Sequence, residues 1–393
     1  MVSLQPLPFP LALHLSTDRL DEACTKCIVM MLEQDNFGPR IEELHLTHIP
    51  DENSEHHSRN RNKAPLIQIV LSLKHSTRIK KLVISETALN ANEISAVASI
   101  LYDIKSLRSL VLRQCSIDHR AASKISCALA SNKSVESFDF SNNPLGSRGV
   151  SALAVALEIN TTIKKLKLSG THLGIEGAVA IASVITSNST LEVLDLSRNS
   201  IGDMGSSKIA IALRSNKAVR QLSLRQNALS DVGALCILLS LYDSKNLQAI
   251  LNCNHSIRYL NLSNNEVGRK CLLNIETARR MNLPESEKET IGQKVAFFLN
   301  NQSNTSCFGD GMTVKCMPYL LSAVGNTENI TPIYNLVKNV NMPAIFEPKS
   351  CTSKGSAADS IFSSENSAST HGKKTGIPTF VQVDACQPYS SLE

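Results

Sequence analysis

Cys24 and Cys27, in ACTKCIVMML, have the C-x-x-C spacing of a dithiol redox pair or of half a zinc site. Activating a thiol there would take a helix N-terminus, and holding zinc would take a second ligand pair. No second pair stands at a suitable spacing, and the segment reads as the interior of a helix, so both cysteines are expected to be structural. Four histidines, His45, His48, His56 and His57, lie close together, but no regular ligand spacing links them. The sequence has no GxxxxGK[ST] loop to cradle a phosphate and no elbow to present a nucleophile. The chain is therefore read as non-enzymatic, without a metal or another cofactor.

The elements that must position any functional side chain recur at a fixed period. The segments IKKLVIS, LRSLVLR, VESFDFS, IKKLKLS, LEVLDLS and VRQLSLR begin at Ile79, Leu107, Val135, Ile163, Leu191 and Val219, each 28 residues after the last. Two outer copies, IEELHLT from Ile41 and IRYLNLS from Ile257, lie 38 residues away on either side. Each outer gap is one period plus a ten-residue insertion. A fainter copy precedes them at LALHLSTDRL, where Leu13 and Leu15 keep the alternation. Positions 1, 4 and 6 of a unit are apolar, which predicts a short strand with alternate side chains inward. Position 9 is Asn143, Asn199, Asn227 and Asn265, with Cys115, Thr87 and Thr171 elsewhere; a polar side chain there can bond the backbone of neighbouring turns. Position 15 is Gly149, Gly177, Gly205 and Gly233, expected where the chain swings into a helix. Aliphatic pairs such as Leu153 and Leu157, or Ile181 and Ile185, then follow at helical spacing.

One buried aliphatic side chain contributes roughly 1.5–3 kcal/mol, and fixing one residue's backbone costs about 1–2 kcal/mol. A lone unit cannot close that gap, so the units must stack. The pattern LxxLxLxxNxLGxxG followed by a full helix resembles the ribonuclease-inhibitor-like class of leucine-rich repeats. The resemblance implies an α/β fold, a curved leucine-rich-repeat solenoid with parallel strands inside and helices outside. It also implies binding of a macromolecule, since that scaffold serves inhibitors, NOD-like receptors, Ran-type GTPase activators and cytoskeletal regulators.

The expected organisation is an N-terminal partial repeat or cap over 1–40, the solenoid over 41–268, a helical C-terminal cap over 269–347 and a disordered tail over 348–393. The first insertion, Asp51 to Lys63, is polar and should be a loop. The second, LYDSKNLQAILNCNHS, keeps helical spacing at Leu247, Ile250 and Leu251 and should lengthen or double an outer helix; Asn254 precedes Ile257 as Asn160 precedes Ile163. A further strand one period on, at Glu285, is not written. Aromatics gather in the cap (Phe297, Phe298, Tyr319, Tyr334, Phe346), and Thr331 with Pro332 marks a helix start. The Ser-rich end is low in aliphatics.

Aliphatics dominate the 42% of hydrophobic residues, aromatics are 4% and tryptophan is absent. That balance suits thin repetitive cores. The eleven cysteines are odd in number and form no disulfide framework. The first sixteen residues carry three prolines and no basic segment, against a signal peptide, and no run of eighteen apolar residues is present to span a membrane. Free thiols and an intracellular, cytoplasmic protein are expected, with the solenoid a monomer.

On such a sheet, positions 2, 3, 5, 7 and 8 face the concave side in bands of alternating sign. The residues expected to meet a protein partner are Lys81, Arg108, Arg113, Asp139, Lys165, Lys167, Asp195, Arg198, Arg220, Arg225 and Tyr259. Mixed bands set register and association rate more than affinity, and Tyr259 is the one aromatic in these rows. Contact through the C-terminal cap is the other place for a partner. A regulator of small GTPases is an alternative that rests on the resemblance, with no position here matched to that family's functional residues. Binding of RNA or another polyanion by the basic rows is opposed by the acidic rows at Glu136 and Asp195, and the net charge of +5 is mild.

Overall fold

The structure is a computed structural model that describes residues 11–16, 20–33, 41–47, 64–284 and 286–301. Nine strands form one parallel sheet in chain order: β1 (Leu11–Ser16), β2 (Ile41–Thr47), β3 (Lys81–Ser85), β4 (Ser109–Arg113), β5 (Ser137–Asp139), β6 (Lys165–Lys167), β7 (Val193–Asp195), β8 (Gln221–Ser223) and β9 (Tyr259–Asn261). Helices α1 (Glu22–Glu33), α2 (Ala64–Ser72), α3 (Ala91–Asp103), α4 (His119–Ser131), α5 (Gly146–Ile159), α6 (Gly174–Ser187), α7 (Gly202–Ser215) and α8 (Asp231–Leu241) each follow the strand of the same number. A short α9 (Leu247–Leu251) comes next, then α10 (Arg269–Arg280) after β9, and α11 (Glu287–Asn301). The faint first copy is thus a strand, paired in parallel with β2. The second insertion doubles the outer helix, as α8 and α9.

Position 4 of each unit stacks on its neighbours through the register Leu44, Leu82, Leu110, Phe138, Leu166, Leu194, Leu222, and all seven are at most 1% exposed. Adjacent strands sit about 4.8 Å apart, whereas packed helices need about 8–10 Å. The helical layer is therefore the longer one, and the stack bends with the sheet on its inner side.

Two ladders of asparagine close the turns. At position 9, Asn143 Nδ2 donates to Leu112 O (2.7 Å) and Phe140 O (2.8 Å) while its Oδ1 accepts from Cys115 N and Ile117 N of the preceding unit. Cys115, itself at that position, donates its thiol to Ile84 O (3.3 Å). The second ladder ends the outer helices: Asn132, Asn160, Asn188, Asn216 and Asn254 each donate to the preceding outer helix's last turn and accept from the amide three residues on. Asn282 continues it, donating to Asn254 O and Ile257 O, but its Oδ1 has no partner. The other members also accept from the amide two residues on, and here that residue is Pro284, which has no N–H to give. The repeat thus runs through α10, packed on α8, and ends at Asn282; the boundary expected at 268 falls inside this last unit.

The glycines at position 15 do not make the swing into the helix. That bend lies three residues earlier, at Gly146, Gly174 and Gly202, with φ of +63°, +61° and +62°. Gly177 instead lies in the first turn of α6, where a Cβ would stand 2.7 Å from Leu173 Cβ. Position 8 is also left-handed in the units from β3 on, and is Glu86, Gln114, Asn142, Gly170, Arg198, Gln226 and Asn264. Its amide carries the ladder past the strand end, as in Gln114 N to Ser141 O (3.1 Å). A non-glycine residue there costs about 1–2 kcal/mol, less the extra chain entropy glycine must lose. Gln114→Gly, on an exposed side chain, should therefore raise stability by about 0.5–1 kcal/mol. A thermal melt no higher than wild type would refute this.

The loop from Asp51 to Lys63, the helix start at Thr331 and Pro332, Tyr319, Tyr334, Phe346 and the Ser-rich tail lie outside the described residues. Among the described ones, Phe298 is buried and Phe297 meets Tyr242 edge-on at 5.6 Å. No described helix is long and apolar enough to cross a membrane.

Candidate functional site

The two thiols of the C-x-x-C pair lie on α1, and Cys24 stands in its first turn rather than in the interior of a helix. The helix terminus is nevertheless spent on a carboxylate: Asp21 Oδ1 accepts from Cys24 N at 2.6 Å. The same aspartate holds the Cys24 thiol above its ordinary range, the reverse of what a redox nucleophile needs. Both cysteines are free. His45 stacks on His14 at 4.1 Å and bonds Glu43 at 3.2 Å, while His48, His56 and His57 lie outside the described residues. No described group of three His, Cys, Asp or Glu side chains is placed to hold a metal.

On the concave face the bands of alternating sign are largely spent on one another. Adjacent units bring Lys80 to Glu42 and Lys81 to Glu43, both at 2.8 Å, and Lys164 to Glu136 at 3.0 Å. Lys81, followed by His45, holds the Glu43 carboxyl below its usual range. Arg113 meets Asp139 at 2.6 Å, and Asp139, which also accepts from Ser141 N, is only 3% exposed. Arg108 donates to Lys105 O and Ser134 O. Asp195 accepts from Ser197 N and Oγ, and Arg198 Nε donates to Gln226. These seven residues (Lys81, Arg108, Arg113, Asp139, Asp195, Arg198 and, through its pair, Glu43) are held by the solenoid itself.

Four cations of the face are not. Lys165 and Lys167 on β6, Arg220 just before β8 and Arg225 just after it are exposed, and their side chains have no partner among the described residues. Two strand spacings, roughly 10 Å, separate β6 from β8. Tyr259, next across the sheet from Gln221, is 53% exposed. The free positive charge is thus gathered at the C-terminal end of the sheet, beside its one exposed tyrosine.

That end continues into a pocket that sequence reasoning missed. It has a volume of about 230 Å³ and is walled by Arg214, Lys217, Arg220 and Arg258 from the last three units and by Glu287 and Thr290 from α11. Beneath it lies Lys294, fully buried. Its Nζ donates to Leu241 O (2.7 Å), the last carbonyl of α8, to Asn254 O (2.7 Å) and to His255 Nδ1 (3.0 Å). Burial pulls the lysine down to about 7. Burial, then the Lys294 charge, pulls His255 down to about 3, so the imidazole is neutral, with Nε2–H on Leu251 O. Lys294 thereby pins α11 to the unit of α8 and α9 and places a cation at a helix C-terminus.

A family model described as Leucine Rich repeat matches residues 131–154, 160–182, 187–210 and 253–270. No curated protein sequence matches the chain significantly. Among solved structures, the chain is similar to the leucine-rich repeat-containing protein LegL7 from Legionella pneumophila, at 14% identity and a TM-score of 0.41, over 81% of this chain and 99% of that one. It is also similar to leiomodin-1 actin-binding site 2 (15%, TM-score 0.34, 53% of this chain and 98% of that one). A third is the Caenorhabditis elegans tropomodulin C-terminal domain (13%, 0.32, 48% and 92%). At these identities and scores no partner and no activity passes to this chain.

Proposed function

The chain is a leucine-rich repeat protein, and we propose that it is a non-enzymatic scaffold that docks an acidic surface of a protein partner on the C-terminal end of its concave sheet. Leucine-rich repeats in general mediate contact between proteins. The observation that supports this particular docking place is the partition of charge along the face. Lys80, Lys81, Arg113 and Lys164 are paired with carboxylates one unit away and Arg108 is held by carbonyls, whereas Lys165, Lys167, Arg220 and Arg225 stand exposed and unpaired among the described residues. Unpaired like charges repel one another in the free protein and gain most when an opposite surface arrives. Tyr259 supplies the kind of aromatic anchor on which binding energy concentrates.

The triple reversal Lys165→Glu, Lys167→Glu, Arg225→Glu leaves the buried core and both ladders untouched. In the full-length protein it should abolish capture of the partner that the wild type retains at low salt. For the partner so identified, it should lower the association rate by about ten-fold or more, a gap that closes as added salt shortens the screening length. Equal capture and equal rates for the two proteins would sink the reading.

A further inference from the structure

We propose that the pocket between the end of α7, the residues before β9 and the first turn of α11 binds a phosphate monoester group. Four cations face it, Arg214, Lys217, Arg220 and Arg258, against one lining carboxylate, Glu287. Counting Asp243, which holds Arg214 from behind at 3.2 Å, the described residues bring four positive charges against two negative ones, an excess of +2. A phosphate monoester carries about −1.5 to −2 at neutral pH and would balance that residue of charge.

The donors are of the right kind and are open. Arg214 spends Nη2 on Leu239 O and Asp243, while its Nη1 and Nε have no partner among the described residues. Arg220 spends none of its five donors on a described residue. Two guanidinium groups on one pocket can each present parallel N–H bonds to a tetrahedral oxyanion. Lys217 reaches Glu287 at 2.7 Å across the mouth, so it is already drawn toward the pocket wall.

A second observation comes from the other wall. Thr290 lines the pocket and is 1% exposed, and its hydroxyl has no hydrogen-bond partner. A buried hydroxyl left unpaired costs about 1–3 kcal/mol. Helical threonines commonly relieve that cost on the carbonyl four residues back, and this one does not. A phosphate oxygen would accept from it. At about 30 Å³ for each water, 230 Å³ holds several waters or a phosphate group with part of its ester.

The test titrates inorganic phosphate into the full chain by calorimetry, with sodium chloride and acetate at matched ionic strength as controls. Wild type should bind phosphate saturably and the controls should give no saturable heat. Arg220→Gln, whose side chain makes no described contact, should weaken binding by about ten-fold or more, and Thr290→Val, which exchanges the hydroxyl for a methyl of similar size, should weaken it measurably, with thermal melts showing both variants folded. A phosphoserine peptide and a sugar phosphate then separate a group carried on a protein from a free ester, and binding of either one is expected. Phosphate heats no greater than the controls, full affinity in both variants, or binding of inorganic phosphate with neither ester would overturn the assignment. Arg220 is shared by the two sites, but Lys165, Lys167 and Arg225, on which the concave-face test turns, are not part of this pocket, so the failure of either test leaves the other reading standing.

Discussion

Asn199→Leu should destabilise the protein by about 3–5 kcal/mol, at the upper end of what single substitutions do. The side chain is 1% exposed and bonds groups of two successive turns. Its Nδ2 donates to Leu168 O at 2.6 Å and Leu196 O at 3.0 Å, and its Oδ1 accepts from Thr171 N at 2.8 Å and, more weakly, from Leu173 N at 3.4 Å. Leucine fills a similar volume but strands those buried carbonyls and amides, each at about 1–3 kcal/mol, with partial relief where a second bond exists. The loss is expected in urea unfolding, together with a smaller m-value. Uncoupling β6 from β7 would let the two halves of the solenoid unfold in separate steps, since each unit is held only by its neighbours. Gln221→Ala on the exposed face of β8 serves as the control and should stay within about 0.5 kcal/mol. A loss below about 1 kcal/mol for Asn199→Leu would mean that the ladder is replaceable by local rearrangement.

The position of Asn199 is legible in the sequence because its reason is local and periodic. Each turn exposes the same inward amides at the same offset from the strand, so one residue type returns every 28 positions. The helix-ending ladder obeys the same logic, and the shared offset of Asn160 and Asn254 announces it even across the ten-residue insertion. The concave charges are only half legible. Which face Arg113 and Asp139 occupy follows from the alternation. That they are one ion pair on a buried carboxylate, and not two bands offered to a partner, depends on a 26-residue separation closing to 2.6 Å through side-chain rotamers that no period specifies. The phosphate-sized pocket is illegible for a stronger reason. It needs Lys217 and Glu287, 70 residues apart, and α11 lies beyond the last unit, where the repeat ceases to predict anything. Cys24 shows a third case: helix α1 begins where the sequence reading placed an interior, and Asp21 then decides the chemistry of the thiol.

Lys294 joins these levels, and its replacement should show a pH signature that packing alone would not give. At pH 8, Lys294→Met is expected to cost about 2–4 kcal/mol, because Leu241 O, Asn254 O and His255 Nδ1 lose their donor while buried. The cost is expected to be smaller at pH 6.5. A lysine in the unfolded chain holds its proton to about pH 10.4, but burial pulls Lys294 down to about 7 in the folded protein. Below that value both states are protonated and the folded state bears the full burden of a buried cation. Above it the folded state sheds a proton that the unfolded state keeps, so wild-type stability rises with pH, by at most about 1.4 kcal/mol per pH unit. The neutral amine still has donors for both carbonyls. Of the groups facing it, His255 is uncharged in the folded protein throughout the window and takes a proton only in the unfolded chain, which adds to the rise, whereas burial pushes the Cys253 thiol up and opposes the rise only as pH nears the ordinary thiol range. At higher pH the direction reverses, since Cys115 and Cys271, pushed up to about 12 and about 11 by burial, stay protonated in the folded state while the unfolded thiols ionise. Urea unfolding between pH 6.5 and 8 should therefore show wild type gaining stability relative to Lys294→Met, the two curves diverging as pH increases. Parallel curves would show that Lys294 does not change protonation there and that the bond set, without the charge, is what ties α11 to the unit of α8 and α9.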